Sequence, residues 1–249
     1  MNDNLETQIL SLLEEKQFIK VDELTKCLFV SPATVRRKLS TLEEKGLITR
    51  THGGAKINDA TNFYPSFSFR SHQNCMEKKK IALSAIKLIK NGDLIFIDGS
   101  TSAFFIAEYL SEFRDIKVVT NGIDTLSLLS KNKINAYSTG GIISSANRSV
   151  LVGQIAHNTF SSMRANIAFF SAHSVDKNGE VYDVFEEENY LRQTMMKNSE
   201  KSILLLDSTK FDTMSPYRLC SIKDVDCVVT NTDSKNYFDK DFSNKIITL

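Results

Sequence analysis

The chain has 249 residues, of which 41% are hydrophobic and 24% are charged, and its formal net charge is +1. This composition excludes a disordered chain and an overall basic bias toward nucleic acid, and the length accommodates two domains with separate cores. The sequence shows no signal peptide and no apolar stretch of membrane-spanning length, so we expect a cytoplasmic protein with no membrane partner. The cysteines form no CxxC pair and no Cys/His cluster, so we expect reduced thiols, no metal and no cofactor. They are Cys27, Cys75, Cys220 and Cys227.

Three short amphipathic helices are predicted within the first 45 residues, because apolar residues recur there at helical spacing in three groups. The groups are Leu5, Ile9, Leu12 and Leu13; Val21, Leu24 and Leu28; and Val35, Leu39 and Leu42. Ser31 is a good N-cap for the third helix, and Pro32 suits its first position. The segment "FVS" between the last two helices is then a tight turn, and the three helices form a compact unit.

The third helix has features of a DNA-reading helix. Opposite and beside its apolar face it carries Ala33, Thr34, Arg36, Arg37 and Lys38. Short residues near a helix N-terminus allow close approach to base edges in a major groove, and flanking cations reach phosphates. We therefore predict that Arg37 reads a base, while Arg36 and Lys38 contact phosphates.

A wing is predicted directly after this helix, where "LITRT" forms a strand, "HGG" a turn and "AKI" a returning strand. Positive charge is also concentrated in the recognition helix and the wing. Residues 1–30 hold three Lys and six Asp or Glu, a net charge of −3, whereas residues 31–56 hold six Lys or Arg and two Glu, a net charge of +4. This segregation favours DNA binding over a helical module that binds protein.

The stretch "VSPATVRRKLSTLEEKGLITRTHGGA", residues 30–55, resembles the helix-turn-helix signature of the DeoR family of bacterial repressors. The resemblance implies a winged helix-turn-helix over residues 1–57 with a recognition helix at 32–45. It also implies DNA contacts for Ser31, Thr34, Arg36, Arg37, Arg50 and His52. The sequence departs from the family at Lys38, where the family usually has Asp, so a charge is reversed beside the recognition surface.

Residues 58–75 are predicted to form a linker, because they show no sustained helical period and contain Pro65. The aromatic residues of this segment have two interpretations: they stack on nucleic acid or they pack against the following domain. We favour packing. The residues are Phe63, Tyr64, Phe67 and Phe69.

Residues 76–249 alternate between helix-like and strand-like segments, which predicts βα units and a mostly parallel sheet. No GxGxxG follows a strand and no GxxxxGK[ST] occurs, so nucleotide binding is weakly supported. Small and polar residues collect where four strands end, and in a parallel sheet those ends share one edge. The bland interpretation is that they only form turns. Their repetition, with Lys210 nearby, favours a phosphate-bearing ligand.

This second domain resembles the effector-sensing domain of the DeoR family, which is related in fold to ribose-5-phosphate isomerase and binds phosphorylated sugars. The resemblance implies effector contacts for Asp98, Ser100, Thr101, Ser102, Thr120, Asn121, Gly140, Gly141, Arg192, Asp207 and Lys210. Two positions depart from the family, because Ser100 replaces a loop glycine and Arg192 replaces a lysine.

Two alternatives to a regulator remain open from the residues. One is a sugar-phosphate isomerase-like enzyme with a regulatory DNA-binding head, although no paired general acid and base is evident. The other is an interaction adaptor, which would leave both the cationic wing and the strand-end residues without a role. We predict a transcriptional repressor of a sugar-metabolism operon, released from double-stranded operator DNA by a phosphorylated sugar. We also expect a homo-oligomer, because one winged unit covers only a half-site.

Overall fold

The structure is a computed structural model that describes residues 3–16, 18–44, 47–57, 64–65, 67–211, 213–231, 237–238, 242 and 244–248. The chain divides into two units, residues 1–73 and residues 74–249. The described part of the first unit contains α1 (Asp3–Lys16), β1 (Phe18–Lys20), α2 (Val21–Leu28), α3 (Pro32–Glu44), β2 (Ile48–Thr51), β3 (Gly54–Ile57) and α4 (Phe67–His72). The three predicted amphipathic helices and the two strands of the predicted wing are therefore confirmed.

The first unit has its own core, formed by the apolar faces of α1, α2 and α3. Leu13, Leu24 and Leu42 are fully buried in it, as the helical spacing predicted. Strand β1 was not predicted, because three residues are too few to show a period. It pairs antiparallel with β3, and the strand order in this small sheet is β1-β3-β2.

The prediction of a linker without helix is wrong for part of its range, because α4 is helical and belongs to the first unit. Phe67 is buried, and Phe69 packs against the core of the three helices. The guanidinium of Arg70 lies 4.4 Å from the centre of the Tyr64 ring. Phe63 and the other predicted linker residues at 58–62 lie outside the described residues.

The second unit alternates strands and helices as predicted. Its described elements are α5 (Cys75–Ala85), β4 (Leu94–Ile97), α6 (Thr101–Ala107), β5 (Lys117–Thr120), α7 (Ile123–Lys131), β6 (Asn135–Ser138), β7 (Ile142–Ile143), β8 (Leu151–Val152), α8 (Gln154–Ser161), β9 (Ile167–Ser171), β10 (Ser174–Val175), β11 (Glu180–Asp183), α9 (Glu186–Lys197), β12 (Ser202–Leu206), β13 (Tyr217–Ser221), β14 (Cys227–Thr230) and β15 (Ile246–Thr248).

Seven of these strands form one sheet in the order β15-β14-β12-β9-β4-β5-β6, and all of its neighbouring pairs are parallel. Apolar side chains cover both faces, as expected for a parallel sheet buried between helices. Phe96 and Phe170 belong to the core on one face, and Ile97 and Phe169 belong to the core on the other. The predicted fold class, a winged helix-turn-helix followed by a mostly parallel α/β domain, is confirmed.

Two small antiparallel sheets lie outside the central sheet and were not predicted. One has the strand order β10-β11-β13, and the other is the hairpin of β7 and β8. The strands β7, β8 and β10 have only two residues each, which is too few to give a periodic signal in the sequence. No helix in the described part of the chain is long and apolar enough to cross a membrane.

Candidate functional site

The recognition helix α3 begins as the sequence predicted. The hydroxyl of Ser31 accepts a hydrogen bond from the backbone N–H of Thr34 at 3.2 Å, which satisfies one of the free donors of the first turn. The hydroxyls of Ser31 and Thr34 also lie 2.9 Å apart. Pro32 occupies the first position, where its missing N–H costs no hydrogen bond. This cap fixes the direction in which the helix leaves the turn.

The exposed side of α3 carries two uncompensated cations. Arg36 and Arg37 are both exposed, and within the described residues neither guanidinium has an ion-pair partner. Arg37 lies opposite the buried residues Val35, Leu39 and Leu42, as the helical phase predicted. Ala33 is exposed beside them and presents almost no side-chain bulk. The exposed side of α3 therefore combines a small side chain in its first turn with two exposed guanidinium groups.

Lys38 does not lie on this surface, contrary to the prediction. Its side chain is buried, and its Nζ donates a 2.7 Å hydrogen bond to Oε1 of Glu6 on α1. The relative exposures of the two side chains are 10% and 11%, so the ion pair lies inside the three-helix unit. An ammonium held there is not available to a phosphate, and the departure from the family at this position is explained by a structural ion pair.

The wing is attached to α2 and to α3 by specific contacts. Gly53 in its turn has φ +81, a conformation that favours glycine, and the carbonyl of this residue accepts a 2.9 Å hydrogen bond from the backbone N–H of Val21. Arg50 Nη1 donates to the hydroxyl of Ser40 on α3 at 2.6 Å, and the Arg50 backbone N–H donates to Oε1 of Glu43 at 2.9 Å. Since Ser40 lies one helical turn after Arg37, Arg50 lies beside the same face of the recognition helix.

His52 is exposed in the wing turn, two residues beyond Arg50. Gly54 follows the turn and lies against β1, because a Cβ atom there would stand 2.6 Å from the carbonyl oxygen of Ile19. The wing thus has a fixed position relative to α3. Of the predicted DNA-contacting residues, seven lie at the surface or at the cap of the recognition helix, and Lys38 does not.

The second site lies at the carboxyl edge of the parallel sheet. Five adjacent strands, in the order β12-β9-β4-β5-β6, end there. The residues directly after them, or ending them, include Asp207, Ser171, Asp98, Asn121 and Thr139. The prediction that polar residues from separate strands share one edge of the sheet is therefore confirmed. These residues are spaced along that edge, because each stands at the end of a different strand.

The turn after β4 is tightly packed around Gly99. A Cβ atom there would stand 2.2 Å from Cγ1 of Val150, so no larger residue fits without displacement. Ser100 follows and caps α6, its hydroxyl accepting a 3.2 Å hydrogen bond from the backbone N–H of Ala103. Thr101 and Ser102 are buried in the first turn of this helix. The family's loop glycine is not required at Ser100, because its φ is −77.

Asp98 is fully engaged inside the protein. Its Oδ1 accepts hydrogen bonds from the backbone N–H and the hydroxyl of Ser100, at 3.1 and 2.6 Å. Its Oδ2 accepts from Nε of Arg192 at 2.8 Å and from the backbone N–H of Ser171 at 3.4 Å. Asp98 therefore fixes the strand-end loop, and it does not present a free carboxylate at the edge.

Arg192, on α9, is the centre of a buried network that the sequence did not reveal. Besides Asp98, it donates from Nη1 to Asp183 at 3.1 Å and from Nη2 to Glu188 at 2.9 Å. Nδ2 of Asn147 donates a further hydrogen bond to Glu188, at 2.8 Å. Burial alone lowers the pKa of Arg192, but the three carboxylates, Asp183 foremost, raise that pKa above its ordinary value. One cation thus holds three buried carboxylates together.

Part of this network had a signal in the sequence. Glu188 and Arg192 stand four residues apart on one helix, which is the spacing of an ion pair. Asp183 and Asn147 come from other elements, and only the fold brings them to Arg192. The structure places the guanidinium of Arg192 among three carboxylates, and its predicted effector contact stays a prediction.

Other predicted residues at the edge have unused hydrogen-bonding capacity. Asn121 donates from Nδ2 to the carbonyl of Leu151 at 3.1 Å, while its buried Oδ1 has no hydrogen-bond partner among the described residues. Asp207 accepts at Oδ1 from the backbone N–H of Thr209 at 3.0 Å, while its Oδ2 is buried and likewise without a partner there. Thr120 accepts from the backbone N–H of Gly122 at 3.0 Å. Buried acceptors without donors are costly, and a bound hydroxyl or ammonium group would satisfy them.

The remaining predicted contacts follow strands at the same edge of the sheet. Lys210 is half-buried at the end of the single turn that follows Asp207. Gly140 and Gly141 have φ +63 and +104, and a Cβ atom at Gly141 would stand 2.5 Å from the carbonyl oxygen of Val152. The buried Oγ1 of Thr125, on α7, also lacks a hydrogen-bond partner in the described part of the chain, and the sequence had not indicated it.

The two units define a class of protein: a winged helix-turn-helix joined to a parallel α/β domain with a polar strand edge. Residues 6–61 match the family described as DeoR-like helix-turn-helix domain, and residues 73–232 match the DeoR C terminal sensor domain. The chain belongs to the DeoR family of transcriptional regulators. This confirms the resemblance noted from the sequence.

Relatives across almost the whole chain are named regulators. The chain is 32% identical over 227 residues to the HTH-type transcriptional regulator GolR of Listeria innocua, which covers 91% of this chain and 89% of that protein. It is 31% identical to the L-fucose operon activator of Haemophilus influenzae, over 90% of this chain and 89% of that one. It is 30% identical to the lactose phosphotransferase system repressor of Staphylococcus epidermidis, over 91% and 90%. The chain is a transcriptional regulator rather than an enzyme, as expected.

Solved structures with similar folds are more distant. The full-length sorbitol operon regulator SorC from Klebsiella pneumoniae matches with a TM-score of 0.43 and 13% identity, over 95% of this chain and 98% of that one. Ribose 5-phosphate isomerase from Plasmodium falciparum matches with a TM-score of 0.40 and 15% identity, over 55% and 52%. At these TM-scores neither match bears on function.

Proposed function

We propose that the chain is a repressor that binds an operator beside sugar-metabolism genes and releases it when a phosphorylated sugar occupies the strand edge of the second unit. Some relatives are named for sugar operons, which supports the proposal that the regulated genes serve sugar metabolism. Two of the relatives are named for opposite effects on transcription, one as an activator and the other as a repressor. Repression is the simpler mode for a winged unit that occludes DNA, and transcription from a promoter that carries the selected operator is expected to fall when the protein is added.

In the DNA complex, Arg37 reads a base and Arg36 contacts a phosphate. The exposure of both guanidinium groups and the phase of α3 support these roles. Ala33 and Thr34 allow the first turn to approach the groove, and a fixed wing carries Arg50 and His52 to the adjoining backbone. Lys38 has no DNA-contacting role, because its charge is neutralised by Glu6.

The single observation that carries the effector proposal is the pair of buried acceptors, Oδ1 of Asn121 and Oδ2 of Asp207, without donors of their own among the described residues. Sugar hydroxyls are donors of the required kind, and a polyhydroxylated ligand supplies several at once. Lys210 provides the charge for a phosphate, and Thr101, Ser102, Thr120 and the two glycines at 140 and 141 line the surrounding turns.

Asp98, Ser100 and Arg192 act by positioning in this proposal. Their hydrogen bonds shape the turn after β4 and join it to α9, so that the ligand meets an ordered loop. The ligand changes DNA affinity by preferring a subunit arrangement that misplaces the two recognition helices, which requires a homo-oligomer. Reciprocity then demands that operator DNA weaken ligand binding by the same factor, commonly about 5- to 150-fold.

The test begins with the DNA that the purified protein selects from genomic fragments. Arg37→Ala is expected to weaken specific binding by about 1–3 kcal/mol and relax preference at one base pair. The charge-matched variant Arg36→Ala is expected to weaken all sequences alike and to lower the salt slope by about one. Equal behaviour of the two variants would contradict the assignment of Arg37 as the base reader.

The effector is tested by calorimetric titration of a panel of phosphosugars, with and without operator. One member is expected to bind, to bind less tightly when operator is present, and to release operator in a matching gel-shift experiment. Lys210→Ala is expected to abolish this response while operator binding persists, whereas the exposed Lys177→Ala serves as a charge-matched control. Binding that is equal with and without operator, or absent for every member, would refute the sensor proposal.

A further inference from the structure

An uncharged apolar surface lies on the second unit, beside the last strand of the sheet. It is centred on Ile142 and Ile155, with Tyr137 and Ile143 near them along the chain, and we call it the Ile142 surface. All four side chains are exposed, Ile142 and Ile155 to 65% and 64%. Single exposed apolar residues are ordinary, but a group of them in one place indicates an interaction site.

Ile142 and Ile155, at the centre of the surface, lie near the same two turns of the chain. A Cβ atom at Gly153 would stand 3.6 Å from Cγ1 of Ile142, and one at Gly140 would stand 3.3 Å from Cγ2 of Ile155. Both isoleucines therefore lie against the glycines at the base of the β7–β8 hairpin and at the start of α8. Tyr137 pairs in register with Val119, so its side chain points to the sheet face on which α8 packs.

The segment that builds this surface is almost free of charge. Between Lys133 and Arg164, thirty consecutive residues contain one Asp, Glu, Lys or Arg, which is Arg148. At the overall charged share of 24%, thirty residues would contain about seven. Depletion of charge together with exposed aliphatic and aromatic residues is the composition of a buried interface core.

The neighbouring strand also has a free edge. β6 is the last strand of the sheet and, in the described part of the chain, pairs with β5 alone. An uncovered sheet edge offers unpaired backbone groups to another strand, and proteins usually cover or protect such edges. β6 has no charged residue and no proline to protect it. The Ile142 surface and the free edge of β6 adjoin, so a single partner can cover both.

We propose that this covering is a second copy of the same chain, with the Ile142 surface and the edge of β6 forming a two-fold interface between two sensor units. A two-fold axis brings the same surface of each copy together. Because the Ile142 surface has no charge, no like charges meet in such an arrangement. A different protein partner would gain specificity from complementary charge, and this surface offers almost none. The winged unit, which covers one half-site, independently requires a second copy.

The position of the interface also relates it to the ligand, a point that rests on the proposed function. Gly140 and Gly141 belong to the proposed effector site and directly precede Ile142. A Cβ atom at Gly141 would stand 2.5 Å from the carbonyl oxygen of Val152 in the hairpin, so a shift of this turn moves the hairpin. Ligand contact with the turn therefore changes the surface at which the two copies meet.

The test measures oligomeric state by sedimentation velocity, with the full chain over a wide range of concentration. Wild type is expected to form a dimer or a larger even assembly. Ile142→Asp and Ile155→Asp, which each bring a charge from both copies into the apolar interface, are each expected to lower the sedimenting mass by at least a factor of two. The matched control is Ile247→Asp, on β15 at the opposite edge of the same sheet, where Ile247 is also exposed. This control is expected to retain the wild-type mass.

A monomeric wild type at all concentrations would overturn the proposal, and so would an assembly that survives both substitutions or dissociates only with Ile247→Asp. Circular dichroism unfolding of each variant checks that a lower mass does not reflect loss of fold. Hydrogen exchange gives a second measurement, since residues 135–143 are expected to gain protection as wild type associates. These results do not depend on any ligand or operator, so failure of the interface and failure of the sensor proposal are distinguishable.

Discussion

Replacing Lys38 by Met is expected to destabilise the winged unit without altering its contacts with DNA. The Lys38 ammonium forms an ion pair with Glu6, with 2.7 Å between Nζ and Oε1. Because each side chain retains only about a tenth of its exposure, removing the cation takes the Lys38 partner away from a largely buried carboxylate. Breaking a buried ion pair in this way costs about 3–5 kcal/mol, and the residual exposure places the expected loss near 3 kcal/mol.

The measurement must report on the first unit alone, because two units contribute to the signal of the full chain. The chain contains no Trp, so intrinsic tryptophan fluorescence is not an option. Hydrogen exchange followed by mass spectrometry resolves α1 and α3 separately and gives their opening free energies. The double variant Glu6→Leu with Lys38→Met replaces both charges by apolar groups, and we expect it to recover most of the lost protection.

DNA binding provides the decisive comparison. If Lys38 is purely structural, the double variant binds operator with wild-type affinity and with the wild-type dependence on salt. A variant of unchanged stability whose salt slope falls by about one would show instead that Lys38 contacts a phosphate, and the assignment of the ion pair would fail.

Three other predictions concern single residues. Arg192→Met is expected to destabilise the second unit by about 3–5 kcal/mol in chemical denaturation, because three carboxylates lose their common cation; a loss below about 1 kcal/mol would contradict the role of the network. Phe29→Gly is expected to raise stability by about 1 kcal/mol, because Phe29 is almost fully exposed and has φ 54, a conformation that costs L residues energy; a fall in melting temperature would argue against strain there. Burial raises the pKa of the Cys220 thiol to about 12, so alkylation of this cysteine at pH 8 is expected to require opening of the fold. The stability that the buried neutral thiol contributes is expected to be present below about pH 9 and to decline toward pH 12. Rapid alkylation in the native protein would refute the requirement for opening.

The sequence predicted the architecture wherever a period extended over several turns or recurred along the chain. The apolar spacing in α1, α2 and α3 and the alternation after residue 76 gave the correct elements, and the polar strand ends gave the correct edge. It failed for β1 and for the two-residue strands β7, β8 and β10, which contain too few residues to show a period. It also missed α4, a helix of six residues in which Phe67 is buried and Phe69 packs against the core of the first unit.

The candidate sites show a different limit, because charge pairing between distant elements has no local period. Asp98 and Arg192 stand 94 residues apart and meet only through the sheet, so neither residue type nor spacing could show that they neutralise each other.

Lys38 is a more instructive case. At 100° per residue it lies only about 65° from the middle of the apolar face of α3, whereas Arg37 lies nearly opposite that face. Glu6 likewise precedes Ile9, Leu10 and Leu13 at helical spacing. A single charge of each sign interrupts two apolar faces that must pack together, and that complementarity is the sequence signal for the buried ion pair between them.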